Sequence, residues 1–171
     1  LTSADFEDVY LFPSGMAAIF TVHRVLEKLF PGKNPVQFGF PYVDTLKILQ
    51  KFSSEAEFFN SGNSADLEKL EKLLAESDVQ GLFCEFPSNP LLQSVDIEQL
   101  SKLLKEKEVP FIVDETIGSF YNVDLLPHVD VLVSSLTKFF SGKGDSLAGS
   151  LVLQKNSSLY PLLKKEIEAE Y

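Results

Sequence analysis

The sequence predicts an α/β sandwich, a largely parallel sheet with helices on both faces, and three observations carry that expectation. Apolar runs of strand length alternate with segments whose Leu, Ile and Val recur at three- and four-residue spacing, the pattern of strands joined by crossover helices. The runs Leu67-Glu68-Lys69-Leu70-Glu71-Lys72-Leu73-Leu74 and Leu100-Ser101-Lys102-Leu103-Leu104-Lys105-Glu106-Lys107 set charge around an apolar stripe, as helices do when one side covers a sheet and the other meets water. With 171 residues, 44% of them hydrophobic, the chain can bury a sizeable core, roughly 70% of its unfolded surface for one domain of this size.

The elements follow in order. Ser14 suits the N-cap of a first helix over 15–30, with Gly15 letting a ligand approach the backbone. A strand over 35–39 precedes a helix over 42–51, and a short strand at 57–59 precedes a helix over 64–75. The run 79–85 reads as a buried strand, followed by a helix over 96–107 and a strand over 110–114. Strands over 131–134 and 149–153 and a helix over 157–168 complete the pattern. No repeat, low-complexity segment or glycine-serine linker divides the chain, so residues 1–171 are expected to form one unit.

A net charge of −10 and an isoelectric point near 4.6 argue against nucleic acid and anionic membrane surfaces as partners, leaving small molecules and other proteins. Cys84 lies in the apolar run Gly81-Leu82-Phe83-Cys84-Glu85-Phe86 and has no partner for an internal disulfide. It reads as a buried strand residue in a reducing compartment, and a cytoplasmic location is expected. A catalytic thiol would need a nearby histidine, and neither His23 nor His128 has a motif context. No apolar stretch reaches the ~18 residues of a membrane span, and no metal site is expected. Arg24, the only arginine, reads as a surface or packing residue. The chain opens at Leu1 within a folded-looking pattern and is expected to be part of something longer; its acidic ending reads as a solvated helix end, or as the point from which a further domain follows.

Open α/β sheets bind ligands beyond the carboxyl ends of their parallel strands, which singles out the polar residues after each apolar run. Ser134-Ser135-Leu136-Thr137-Lys138 sets a lysine behind hydroxyl residues at the end of 131–133. A lysine so placed suits a Schiff base with a phosphorylated aldehyde, with Ser135 and Thr137 bonding the anion, although a polar turn with Lys138 in solvent uses the same residues. Asp114 closes Phe111-Ile112-Val113, where a carboxylate can keep a pyridine nitrogen protonated; a turn opened by Asp114 and Glu115 is the other reading. The loop Pro87-Ser88-Asn89-Pro90 can aim the Asn89 amide at a ligand oxygen or simply turn the chain. Gly15 and Met16 offer the free amides of a helix start to an anion, and Tyr42 can stack on a planar ring or pack as an ordinary tyrosine.

Taken in this order and spacing, Ser14-Gly15-Met16-Ala17-Ala18, Tyr42, the Glu85 to Leu91 loop, Val113-Asp114-Glu115-Thr116, Ser135-Leu136-Thr137-Lys138, Gly142 and Asp145 resemble the pyridoxal-phosphate (PLP) enzymes of cysteine and methionine metabolism, the transsulfuration family. The stretch Phe38-Gly39-Phe40-Pro41-Tyr42-Val43-Asp44-Thr45 is most similar to the fungal cystathionine γ-synthase branch. The resemblance implies the large domain of a PLP-dependent transferase of the aspartate-aminotransferase-like fold (fold type I), assembled as a homodimer or homotetramer and acting on amino-acid substrates. It implies Lys138 as the Schiff-base lysine and proton carrier, Asp114 on the pyridine nitrogen, and Tyr42 stacked on the ring as a second catalytic group. Asn89 would face the ring oxygen, Thr116 would pack beside the ring, and Gly15, Met16, Ser135 and Thr137 would hold the phosphate.

The implied reaction is γ-replacement, joining an O-acylhomoserine to cysteine to give cystathionine in methionine biosynthesis. A cystathionine lyase, an O-acetylhomoserine sulfhydrylase and a non-catalytic assembly domain of the same fold are the alternatives. The chain lacks the family's Tyr-x-Arg and substrate-carboxylate arginine. It has Glu115 where relatives commonly have asparagine, and Gly142-Lys143-Gly144-Asp145 where they have glycine-histidine-serine-aspartate.

Overall fold

A computed structural model describes residues 4–171. The apolar runs become strands β1 (Val9–Phe12), β2 (Asn34–Phe38), β3 (Glu57–Phe59), β4 (Val79–Glu85), β5 (Phe111–Asp114), β6 (Val131–Ser135) and β7 (Gly149–Leu153). The periodic segments become helices α1 (Gly15–Leu29), α2 (Val43–Phe52), α3 (Ser64–Glu76), α4 (Ile97–Glu106), the single turn α5 (Ser119–Asn122) and α6 (Tyr160–Glu170). Among the described residues the strands form one sheet ordered β1-β7-β6-β5-β4-β2-β3. Strands β2 to β6 run parallel, while β7 pairs antiparallel with both β6 and β1.

Strand alternation divides the core into two layers. Phe83, Ile112, Val131 and Val133 face α1, α2 and α6, where they meet Val22, Leu26, Leu49 and Ile167. Leu82, Val113 and Leu132 face the opposite side and pack with Leu70 and Leu74 of α3 and Leu100 and Leu104 of α4. The pairings Phe83 with Ile112 and Cys84 with Val113 keep each set on its own face, because a one-residue slip would exchange them. Cys84 is buried in this sheet, as its apolar context predicts.

The predicted elements agree with these bounds to within a residue, with three exceptions. Strand β1 escapes a period-2 reading because all four of its residues are apolar although Val9 and Leu11 are exposed; it exists through pairing with β7, a partner distant in sequence. The short α5 was likewise not predicted. The last helix starts at Tyr160 rather than at 157, because Ser157 is occupied in the preceding turn, where its hydroxyl donates to Asp130 and accepts from the Leu159 N–H. Pro161 then stands in the helix's first turn, a position that needs no donor. Its acidic end is more than a solvated tail, since Glu170 pairs with Arg24 and Lys28 of α1. Among the described residues, no helix is long and apolar enough to cross a membrane.

Candidate active site

Neighbouring strands β2 and β4 send the chain to opposite faces of the sheet, β2 into α2 and β4 towards α4. Such a divergence opens a crevice at the carboxyl ends of the strands. A cavity of about 340 Å³ lies there, and all nine sequence-selected residues line it: Gly15 and Met16, Tyr42, Asn89, Asp114 and Thr116, and Ser135, Thr137 and Lys138. Five chain segments far apart in sequence thus converge on one space.

The local structure explains how each segment is held. Ser14 caps α1 by accepting the Ala17 N–H at 3.1 Å, leaving Gly15 and Met16 as first-turn residues whose N–H groups have no partner inside the helix. Gly15 packs directly on the end of β6, and a Cβ there would lie 2.9 Å from the Ser135 Cβ. Gly149 packs behind them, where a Cβ would come within 2.2 Å of the Ser14 carbonyl oxygen. The helix start and the strand end can therefore meet only through two residues without side chains.

Thr116 does more than flank the cavity. Its hydroxyl donates to Asp114 Oδ1 at 2.6 Å, its main-chain N–H donates to the same oxygen at 2.9 Å, and the hydroxyl accepts the Ser135 N–H at 2.8 Å. Thr116 thereby ties the Asp114 carboxylate to the strand that leads to Lys138. The Thr137 hydroxyl is engaged with Ala148, donating to its carbonyl at 3.4 Å and accepting its N–H at 3.1 Å. Tyr42, Asn89 and Lys138 are exposed at the rim, and Asp114 is half-buried.

Two carboxylates, Asp114 and Glu85, line the cavity, and a third, Glu115, follows Asp114 in the chain. Burial raises Asp114 above the ordinary carboxylate range, against the pull of its two Thr116 hydrogen bonds. Beside it in register stands Glu85, pushed up to about 7 by burial and by the Asp114 charge, with main-chain N–H groups of Tyr42 and Asn89 acting in the opposite direction. Glu115 is pushed up to about 8 by burial, Asp114 and Asp124, and its buried Oε2 has no hydrogen-bond partner. A protonated ring nitrogen placed against Asp114 would relieve this cost, so the donor set fits a flat cationic heterocycle that also carries an anion and an aldehyde reachable by Lys138. Sequence reasoning missed Glu85 as a site residue, although a carboxylate ending a strand just before Pro87-Ser88-Asn89-Pro90 is a visible signal.

Comparisons with known proteins point to one family. The family model described as Cys/Met metabolism PLP-dependent enzyme matches residues 3–167. A cystathionine γ-synthase of Neurospora crassa is 47% identical over 96% of this chain and 28% of its own length, and one of Saccharomyces cerevisiae is 42% identical over 95% of this chain and 28% of its own. The chain therefore spans a little over a quarter of the length of these curated relatives. Among solved structures, an O-acetylhomoserine (thiol)-lyase of Campylobacter jejuni carrying an N′-pyridoxyl-lysine-5′-monophosphate superposes with a TM-score of 0.74 at 30% identity, over 86% of this chain and 36% of that one. The metB structure of Corynebacterium glutamicum superposes with a TM-score of 0.76 at 25% identity, over 94% of this chain and 42% of that one. With the fold, the crevice and these likenesses in agreement, the chain belongs to the Cys/Met metabolism PLP-dependent enzyme family.

Proposed function

We propose that residues 1–171 are the cofactor-binding large domain of a cystathionine γ-synthase-like transferase, which joins an O-acylhomoserine to cysteine. The convergence of Lys138, Asp114, Tyr42 and Asn89 on one cavity carries the reading. The choice of reaction is supported by the names of the Neurospora and Saccharomyces relatives. Bound PLP would supply an electron sink for negative charge at the substrate's α-carbon. The chain's own residues would do the rest. Lys138 Nζ is the nucleophile that would hold the aldehyde and afterwards the base that moves the α-proton. Asp114, fixed by Thr116, would keep the ring nitrogen protonated. Tyr42 would cover one ring face, Asn89 would meet the ring oxygen, and Gly15, Met16 and Ser135 would hold the phosphate, joined by Thr137 once its hydroxyl turns its proton from the Ala148 carbonyl to the anion. The substrate-carboxylate contact is assigned to a part of the protein outside these residues, and self-association through this domain is expected.

The full chain incubated with PLP and reduced with borohydride should carry the adduct on Lys138, read by visible absorption and peptide mapping. Lys138→Ala should lose it, and an adduct of equal stoichiometry in that variant would sink the assignment. Supplied with O-acetylhomoserine, the enzyme should form cystathionine with cysteine. In the full-length protein, turnover with sulfide in place of cysteine would mark a sulfhydrylase, breakdown of cystathionine a lyase, and no turnover with PLP bound an assembly domain.

A further inference from the structure

Glu85 touches both walls of the crevice. It is the last residue of β4, is 6% exposed, lines the cavity and stands opposite Asp114 in the β4–β5 register. Its Oε2 accepts the Tyr42 N–H at 2.7 Å, and the main-chain N–H of Asn89 faces the same carboxylate closely enough to favour its ionised form. Tyr42 begins the chain that leaves for α2 on one face, and Asn89 lies on the chain that leaves for α4 on the other. Both side chains are exposed, so core packing does not fix them; the backbone of each meets the same buried group, Tyr42 through a hydrogen bond of 2.7 Å and Asn89 through the amide that faces it. A carboxylate has two acceptor oxygens, and here one buried carboxylate stands between the main chains of two diverging loops.

We infer that Glu85 is a positioning residue: one buried carboxylate fixes the main chain at both Tyr42 and Asn89, and so sets the separation of the two loops that would grip the cofactor ring. What fills the gap rests on the PLP reading; the clamp itself rests on the Tyr42 hydrogen bond and on the place of Glu85 between Tyr42 and Asn89. Glu85→Gln keeps the size of the side chain but has one acceptor oxygen, and it turns an NH₂ donor towards one of the two N–H groups. By hydrogen exchange on the full chain without cofactor, this variant should exchange about tenfold faster at one or both loops, residues 40–44 and 86–92, with α6 unchanged. PLP should bind it about tenfold more weakly than wild type, because loosened loops must be ordered on binding.

Exchange within about twofold of wild type at both loops would overturn the clamp, as would PLP affinity equal to that of a wild type that binds it. If the wild type itself does not bind PLP while the variant's loops loosen, the cofactor reading fails and the clamp stands. Should the variant not fold, the wild type still decides. Its Tyr42 and Asn89 amide protons should titrate with one shared midpoint, since both answer to Glu85 with Asp114 beside it, and two unrelated midpoints would overturn the idea.

Discussion

At the scale of single residues, environment rather than identity sets the chemistry. Cys84 and Lys138 are both nucleophiles by type, yet one sits inside the sheet and the other at a cavity rim. Burial pushes the Cys84 thiol well above its ordinary range, and the nearby Asp114 and Glu85 charges push in the same direction. A thiol-specific disulfide reagent at pH 8 should therefore label native Cys84 at least about a hundredfold more slowly than the unfolded chain, because reaction requires opening of the sheet. Fast native labelling would show that β4 is not the buried strand described. Asp114 depends in turn on Thr116, whose Oγ1 is the donor nearest its carboxylate at 2.6 Å. Thr116→Val keeps the shape but removes that donor and the acceptor for the Ser135 N–H, at about 1–3 kcal/mol for the groups left unpaired. The expected outcome is weaker PLP binding with the fold retained; unchanged affinity would mean that Thr116 does not orient the site.

Elements meet at this site through glycine. Gly15 at the start of α1 lies against the end of β6, and Gly149 of β7 lies against Ser14. In Gly15→Ala the new methyl meets the Ser135 Cβ at 2.9 Å and its Cα at 3.0 Å, so the helix start and the end of β6 must move apart, for about 1–3 kcal/mol. In Gly149→Ala it meets a main-chain carbonyl at 2.2 Å, and only displacement of the whole helix start relieves it. Thermal melting should rank wild type above Gly15→Ala above Gly149→Ala, with each kcal/mol worth about 2–4 °C in a chain of this size. Equal melting for all three would contradict the close approach. The same junction explains the sequence-level signal: Ser14 is legible as a cap from its type alone, but the need for glycine on the far strand is not, because 134 positions separate Gly149 from Gly15.

For the molecule as a whole, several buried carboxylates give stability a direction with pH. Glu115 lies near 8 folded against 4.5 as its ordinary value, Glu85 near 7 against the same 4.5, and Asp130 is raised by burial despite hydrogen bonds from Ser157 and Phe111. A raised folded pKa means that unfolding releases a proton once pH exceeds the ordinary value, so the contribution is fully present below about pH 4.5 and declines through pH 7 to 8. The cofactor-free chain should accordingly lose melting temperature between pH 5 and pH 8. Glu115→Gln should flatten that decline and melt several degrees higher at pH 8, since each unit of pKa shift is worth about 1.4 kcal/mol. A pH profile identical to wild type would show that Glu115 ionises freely in the folded chain.

The sequence by itself determined the class of fold, nearly all element bounds and nine of the residues that line the cavity, because strand alternation, helical spacing, caps and short polar motifs are local properties of the chain. Tertiary structure alone decided the rest. Strand β1 exists because β7 is there to pair with it, and the antiparallel turn of β7 puts Gly149 behind Ser14. Thr116 changes from a flanking residue to a tie between Asp114 and Ser135, and Glu85 from a strand residue to a clamp. Each of these depends on hydrogen bonds between segments that only the sheet brings together, and on desolvation, which no residue carries until its neighbours have excluded water.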